Sequence, residues 1–371
     1  MNENKNDLLE RIRAQGIAKP NWFKRHKKLA IILSIVGVVL IGGGIATALY
    51  FINNKPAPEP TKVVEKPAPA PEPIKYYSPL TGNLVENEAA TKQAVTGIMI
   101  ENSPDARPQS GIKNSGVVFE AIAEGGITRF LVLYQQEKPQ LVGPVRSVRM
   151  YYVDWVAAFN ASVAHIGGSA AALTEVRNGN YRDIDQFFNA GTYWRATDRY
   201  APHNVYTSFE RIDALNSAKG YTSSSFTGFT RKESKAVETP TASSINVTIS
   251  GPQFNSAYVY NKSTNLYDRS QGGGAHTDRE GGQISPRVVI VMKVPMQTVL
   301  EDGYRQQINT IGTGTAYIFQ DGEVKEVTWS KASKAEQLKF TDASNGNDVP
   351  LARGQTWITA VPADTGAVTW Q

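Results

Sequence analysis

The sequence predicts an α+β protein with a single N-terminal transmembrane helix, a Pro-rich stalk, an α+β first domain with a mixed sheet, and a β-rich second domain. Three observations lead to this prediction. An apolar stretch at 29–52 carries no charge, seven prolines follow within 53–75, and the helix patterns beyond the stalk all precede residue 222. With 371 residues, the chain is long enough for two domains besides these segments.

The apolar stretch at 29–52 is expected to cross a membrane. As a helix it would span roughly 36 Å, which is enough for the hydrocarbon core of a bilayer. Basic side chains crowd 24–28, so the positive-inside rule places the tail 1–28 in the cytoplasm and the C-terminal part outside. A cleaved signal peptide is the alternative, but this stretch is longer than the apolar region of such peptides. We therefore predict a single-pass cell-membrane protein with an extracytoplasmic body.

The charge distribution excludes several functions. The tail 1–28 holds eight basic and three acidic residues, so it accounts for the whole formal charge of +5 and leaves the rest neutral. A nucleic-acid-binding protein needs a basic domain, which argues against nucleic acid as a partner. Cysteine is absent, which excludes disulfides, thiolate zinc sites and a lipid anchor attached to cysteine. The cytoplasmic membrane is thus the first expected partner.

The linker at 53–75 is rich in Pro, Ala, Glu and Lys. Such a composition favours extended polyproline II structure, with a length of about 70 Å. We expect a semi-rigid stalk that sets the folded part well clear of the lipid surface, at the depth of a cell wall.

The first domain is predicted at 76–221. Its strand patterns lie at 95–101, 117–123, 127–135 and 162–166. A helix pattern opens at Gly143 and Pro144 and continues to Phe159, and a second helix at 170–177 has Ser169 at its N-cap. These alternating patterns predict an α+β domain.

A Ser/Thr-rich segment at 222–244 has little periodicity, so a linker between two domains is predicted there. The second domain, 245–371, shows strand patterns and turns. The predicted strands are 245–249, 257–260, 265–270, 287–294, 305–319, 323–329 and 355–361. This succession predicts an antiparallel β-rich unit.

Two arginines stand out in the segment GPVRSVR at 143–149. If Pro144 occupies the first helical turn, then Arg146 and Arg149 lie one turn apart on one helix face. Two cations near the positive end of a helix dipole are unfavourable unless an anion lies beside them. That anion is either a bound phosphate group or a carboxylate of the protein itself.

The segment HIGGS predicts a strand end, a tight turn and a helix start. His165, Gly167, Gly168 and Ser169 could present free backbone N–H groups to phosphate or carboxylate, although such glycines also serve ordinary turns. A second set of polar candidates, His203 and Asn204, follows a proline further along the chain. The histidines lack metal-ligand spacing, so neither a metal site nor a cofactor is predicted.

Paired carboxylates form a further candidate. Glu120 and Glu124 stand four residues apart on one predicted strand and would share a face. They could act as an acid/base pair, or they could pair with Arg129 across the predicted hairpin.

Several of these segments occur in one known family. The chain resembles the YerB-like family of bacterial envelope proteins, whose domain has no assigned function. The resemblance adds Arg107 to the candidates and implies an α+β first part and a β-rich second part. It rests on SPLTG (78–82), ARPQSG (106–111), EGGITRF (124–130), GPVRSVR (143–149), HIGGS (165–169), APHNVY (201–206), TWSKA (328–332) and GQTWI (354–358). Members of the family look like lipidated proteins, whereas this chain has an apolar stretch and no cysteine.

Two functions remain open at this stage. The first is a non-catalytic envelope domain that binds a cell-wall polymer or an envelope protein. The second is an enzyme acting on an anionic, phosphate-bearing envelope substrate, by loose similarity to the LytR–CpsA–Psr phosphotransferases. The sequence alone therefore leaves it undecided whether the protein is an enzyme. Convergence of Arg146, Arg149, His165 and His203 on one open pocket would favour the enzyme, whereas arginines buried against carboxylates would disfavour it.

Overall fold

A computed structural model describes residues 27–54, 73–299 and 305–371. Nearly all of the predicted tail 1–28, and most of the predicted stalk 53–75, lie outside these residues. The described helices are α1 (Lys27–Asn53), α2 (Glu88–Thr91), α3 (Met150–Ala157), α4 (Ala170–Asn178) and α5 (Phe209–Ala218), with short 3-10 turns at Pro104–Ala106 and Ala190–Thr192.

The strands fall into an earlier and a later group along the chain. The earlier strands are β1 (Tyr76–Tyr77), β2 (Leu84–Val85), β3 (Thr96–Glu101), β4 (Val117–Glu124), β5 (Ile127–Tyr134), β6 (Ser162–His165), β7 (Arg182–Asp185), β8 (Tyr193–Arg195), β9 (Val205–Thr207) and β10 (Arg231–Lys232). The later strands are β11 (Ser244–Thr248), β12 (Ser256–Asn261), β13 (Leu266–Gln271), β14 (Gly274–Ala275), β15 (Thr277–Asp278), β16 (Gly282–Gln283), β17 (Val288–Val294), β18 (Met296–Thr298), β19 (Gln306–Ile308), β20 (Gly312–Gln320), β21 (Glu323–Lys331), β22 (Lys339–Asp342), β23 (Leu351–Ala352), β24 (Thr356–Pro362) and β25 (Ala367–Trp370).

Helix α1 contains the predicted apolar stretch 29–52. Its 27 residues give a length of about 40 Å. None of its residues is buried by the rest of the described chain, and its length and composition are sufficient to cross a membrane.

Ten strands form one mixed sheet in the order β22-β21-β20-β17-β24-β4-β5-β3-β6-β7. The pairs β17/β24, β24/β4, β3/β6 and β6/β7 are parallel, and the remaining pairs are antiparallel. The predicted α+β class with a mixed sheet is therefore confirmed. Both predicted domains, 76–221 and 245–371, contribute strands to this sheet, and within the sheet they are joined by the parallel pairing of β4 with β24.

Both faces of the sheet are covered, which explains why its central strands are almost continuously apolar. Every residue of β3 is buried. Helix α3 packs on one face, where the Trp155 ring stacks on Phe119 with 5.2 Å between ring centroids. The opposite face is covered along β4 and β5 by a cluster that includes Phe130, Phe209 of α5 and Trp357.

A second sheet, in the order β14-β13-β12-β11-β25, covers part of the larger sheet. Along β11 and β13 buried and more exposed residues alternate, as expected for a sheet with one solvated face. Its inner face packs Ile245, Val247 and Tyr258 against Val289 and Val291 of β17. The β-rich character predicted for the C-terminal region is confirmed, but its strands are not all antiparallel as predicted, because β17 and β24 pair in parallel.

One predicted helix, 143–159, begins later than expected. The segment that opens with Gly143 is extended, and helix α3 begins only at Met150. The carbonyl of Pro144 accepts a hydrogen bond from Glu101 N–H, and Val145 N–H donates to the Val205 carbonyl. This backbone therefore pairs with neighbouring strands rather than with itself, so Arg146 and Arg149 do not lie one helical turn apart.

The segment predicted as a linker, 222–244, packs against the body. Its strand β10 pairs in parallel with β23, and the Arg231 side chain donates to the carbonyls of Leu80 and Ala352. This contact joins three distant stretches of the chain within the compact unit Pro73–Gln371.

Candidate functional site

Glu124 binds two of the candidate arginines. Its Oε1 accepts a hydrogen bond from Arg129 at 2.6 Å, and its Oε2 accepts two from Arg149, at 3.1 and 2.9 Å. Burial raises the pKa of Glu124, but the two guanidinium groups outweigh burial, and the pKa lies below its ordinary value. The anion beside Arg149 is thus a carboxylate of the protein.

Glu120 and Glu124 do not share a face of β4. The register shifts between Ile122 and Glu124, and this bulge turns the strand by one residue. Glu120 is fully buried and binds Arg269 of β13 at 2.9 Å instead of Arg129. The two carboxylates therefore belong to separate ion pairs.

Glu101 is the centre of a second cluster. Its Oε1 accepts from the Ser103 hydroxyl at 2.9 Å, contacts Nδ1 of His203 at 2.9 Å and lies 3.4 Å from Nε of Arg146. Its Oε2 is buried and has no partner among the described residues. The cluster joins the end of β3 to the loop before β9, which are 102 residues apart along the chain.

The HIGGS turn forms a third cluster. His165 is buried, with Nε2 3.0 Å from Asp183 Oδ1 and Nδ1 2.8 Å from the Gly167 carbonyl. Gly167 has a φ of +61°, and its N–H donates to Asp185, which also pairs with Arg177 at 2.9 Å. The anionic groups beside His165 and the Gly167 N–H are therefore carboxylates of the protein itself.

Gly168 and Ser169 lie where the turn leads into α4. Gly168 forms a bridge with Val148, and a Cβ added at Gly168 would meet that residue at 2.8 Å. Ser169 occupies the N-cap of α4 as predicted, but its side chain makes no capping hydrogen bond. Gly168 thus serves close packing between two backbone segments.

The remaining candidates bind backbone and amide oxygens. Arg107 donates to the side-chain and backbone oxygens of Asn102, and its guanidinium lies 5.3 Å from the Phe254 ring centre. Asn204 accepts from Arg195 at 2.7 Å and donates to the carbonyls of Ala196 and Arg199. Asn204 therefore fixes the loop that carries His203.

Sequence reasoning missed a buried polar network around Arg269. This guanidinium binds Glu120, Gln271, the Tyr258 hydroxyl and Nδ1 of His276. Trp357 Nε1–H also donates to Glu120, at 2.9 Å. The alternation of buried and more exposed residues along β13 could have indicated this network, because it places Arg269 on the buried face of the strand.

The three clusters do not converge on one open pocket in the part of the chain that the structure describes. Arg149 and Arg129 share Glu124, His165 has Asp183, and Arg146 and His203 meet at Glu101. The larger of the described cavities have volumes of about 360 and 300 Å³ and lie elsewhere. The first lies between Gln136 and α5, and the second lies beside the end of β21.

These features define the class as an α+β domain with a mixed sheet, a β-rich C-terminal region and an apolar N-terminal helix. The chain belongs to the family described as protein of unknown function (DUF3048). Residues 80–222 match the model of its N-terminal domain, and residues 245–358 match the model of its C-terminal domain.

A relative from Bacillus subtilis, named "Putative lipoprotein YerB", is 32% identical over 297 residues, covering 78% of this chain and 87% of the relative. A crystal structure of the Bacillus subtilis YerB protein matches with a TM-score of 0.70 at 30% identity. It covers 80% of this chain and 100% of the crystallised one. The predicted resemblance is confirmed, and neither relative's name assigns an activity.

Proposed function

We propose that this protein is a membrane-anchored, extracytoplasmic binding protein of the cell envelope, with a cell-wall component or an envelope protein as its partner. Helix α1 anchors the chain, the tail 1–28 stays in the cytoplasm, and Pro73–Gln371 is the binding body outside the membrane.

The observation that carries this proposal is the state of α1. It is long and apolar enough to cross a bilayer, and none of its side chains is buried against the described chain. All of the net charge lies on the tail before it, which favours a cytoplasmic N-terminus. Membrane association also agrees with the name of the Bacillus subtilis relative.

The charged clusters support binding rather than catalysis. An acid/base catalyst needs a titratable group within reach of a substrate. Glu120 is fully buried and paired with Arg269, while Glu124 is engaged by two arginines. The hydrogen bonds of these residues hold strands and loops together. This arrangement disfavours the alternative of an enzyme acting on a phosphate-bearing substrate.

A cysteine-labelling experiment tests the topology, and the natural absence of cysteine makes it clean. Asn6→Cys marks the tail, and Ala363→Cys marks an exposed turn of the body. A membrane-impermeant maleimide applied to intact cells should label Ala363→Cys alone and should label both variants after lysis. Labelling of Asn6→Cys in intact cells, or protection of Ala363→Cys, contradicts the proposal.

A further inference from the structure

Arg146 differs from the other arginines of its segment. Arg149 makes three hydrogen bonds and Arg129 makes two, whereas the Arg146 side chain donates none within the described residues. Its single ion pair, to Glu101, is 3.4 Å long, and about a quarter of the side chain (24%) is exposed. A guanidinium carries five N–H donors, so Arg146 retains unused donors beside solvent.

Two further arginines lie on the stretch from β8 to β9 that also carries His203. Arg199 donates to the carbonyls of Asp105 and Pro108, at 3.3 and 2.6 Å, and Arg195 donates to Asn204. Neither has a carboxylate partner within 4 Å among the described ion pairs. Arg146, Arg195, Arg199 and His203 are called the arginine patch below.

The charges around the arginine patch favour an anion. The carboxylates in contact with the patch are Glu101, which pairs with Arg146, and Asp105, which lies 3.9 Å from His203 and whose backbone carbonyl accepts from Arg199. Glu101 is buried and already accepts from Ser103 and contacts His203. A third carboxylate nearby, Asp198, is taken up by its ion pair with Arg279. The patch therefore carries positive charge that its own carboxylates do not balance.

Asn204 and His203 hold the arginines of the patch in place. Asn204 holds Arg195 and the Arg199 backbone, while His203 fastens the same loop to Glu101 and so to Arg146. A loop that is hydrogen-bonded at both ends can present its cations with little loss of conformational freedom on binding.

We propose that the arginine patch binds phosphate groups of an anionic envelope polymer, with Arg146 as the main contact. This inference rests on the proposed function, because it names the chemistry of the wall component. Guanidinium groups recognise phosphate through paired N–H donors. Arginines from two segments can approach the oxygens of a tetrahedral phosphate from different directions, whereas the two oxygens of a carboxylate lie in one plane.

The test uses the full chain in nanodiscs of zwitterionic lipid and a fluorescent oligomer of glycerol phosphate at low salt. A poly-glutamate probe of equal charge serves as the carboxylate arm. We expect the parent to bind the phosphate oligomer, and Arg146→Gln and Arg199→Gln each to weaken binding by about tenfold or more. Arg177→Gln, an exposed arginine paired with Asp185 outside the patch, should bind like the parent.

Several outcomes overturn the inference. They are no binding by the parent, unchanged binding by both patch variants, an equal loss in Arg177→Gln, or equally tight binding of poly-glutamate. Circular dichroism distinguishes a folded Arg146→Gln from an unfolded one, and Arg199→Gln provides a second measurement if the first variant unfolds. Failure here leaves the topology result standing, and an inverted topology leaves this binding result standing.

Discussion

At the residue scale, His276 is held as a neutral imidazole. Its Nε2 lies 3.1 Å from Gln109 Oε1, and its Nδ1 accepts from Arg269. Burial, together with the charges of Arg269 and Arg107, holds the pKa of His276 well below its ordinary value. An unfolded chain would protonate this ring near pH 6.5, whereas the folded protein resists protonation.

This difference sets the sign of a pH dependence. Below about pH 6.5 the unfolded state binds one proton more than the folded state, so stability falls as the pH is lowered. The loss attributable to His276 is at most about 1.4 kcal/mol per pH unit. We expect the free energy of unfolding of His276→Gln to fall less steeply than that of the parent between pH 6.5 and pH 5. Urea unfolding of the detergent-solubilised chain at several pH values measures this slope.

Gln271→Met serves as the control, because it removes another partner of Arg269 and leaves the imidazole in place. It should keep the parent slope. An identical slope in His276→Gln and the parent would show that the imidazole is not held neutral in the folded protein.

Residue pairings were predictable only over short distances along the chain. The sequence offers Arg129 as a partner for the glutamates across a hairpin, and Glu124 pairs with it. The partner of Glu120 lies 149 residues away in β13, and a bulge separates the two glutamates. Neither a bulge nor a contact over that distance leaves a signal in hydrophobic periodicity.

At the element scale, the segment before α3 shows how an extended stretch can imitate a helix. Val145 and Val148 recur at helical spacing with Tyr152, and all three are buried. However, Val145 packs with the cluster on one face of the sheet and Val148 with the cluster on the other. Burial on both faces produces apolar residues at spacings that also fit one helix face, so the pattern alone could not separate the two structures.

Gly143 tests the extended geometry. Its φ of +154° is one that other residues rarely adopt, and an added Cβ would lie 2.8 Å from the Val205 carbonyl oxygen. We expect Gly143→Ala to lower the free energy of unfolding by about 1–3 kcal/mol, measured by urea titration. Gly191→Ala, where an added Cβ meets nothing within 4 Å, should change it by less than about 0.5 kcal/mol. Equal effects of the two variants would contradict this geometry.

At the scale of the whole molecule, local patterns predicted the longer strands and helices α1, α3 and α4. They missed the short strands β7, β8 and β9 and helix α5, and they did not predict how the elements assemble. The sequence predicts two domains at 76–221 and 245–371, and the family models also match two separate stretches. In the structure, β4 of the first stretch pairs with β24 of the second, and the Glu120–Arg269 pair is buried between them. Pairing of this range depends on tertiary contacts that composition and periodicity do not encode.

The shared sheet implies that the two stretches unfold together. Separating them would expose the paired edges of β4 and β24. It would also leave the buried carboxylate of Glu120 without its ion-pair partner, at a cost of several kcal/mol. The most direct test is native-state hydrogen exchange of the full chain in nanodiscs, followed by mass spectrometry. Amides of β3–β5 and of β17, β20 and β24 should exchange through openings whose free energies agree within about 1 kcal/mol. Exchange of either group at a clearly lower free energy, while the other stays protected, would show two independent domains and contradict the single folded body described above.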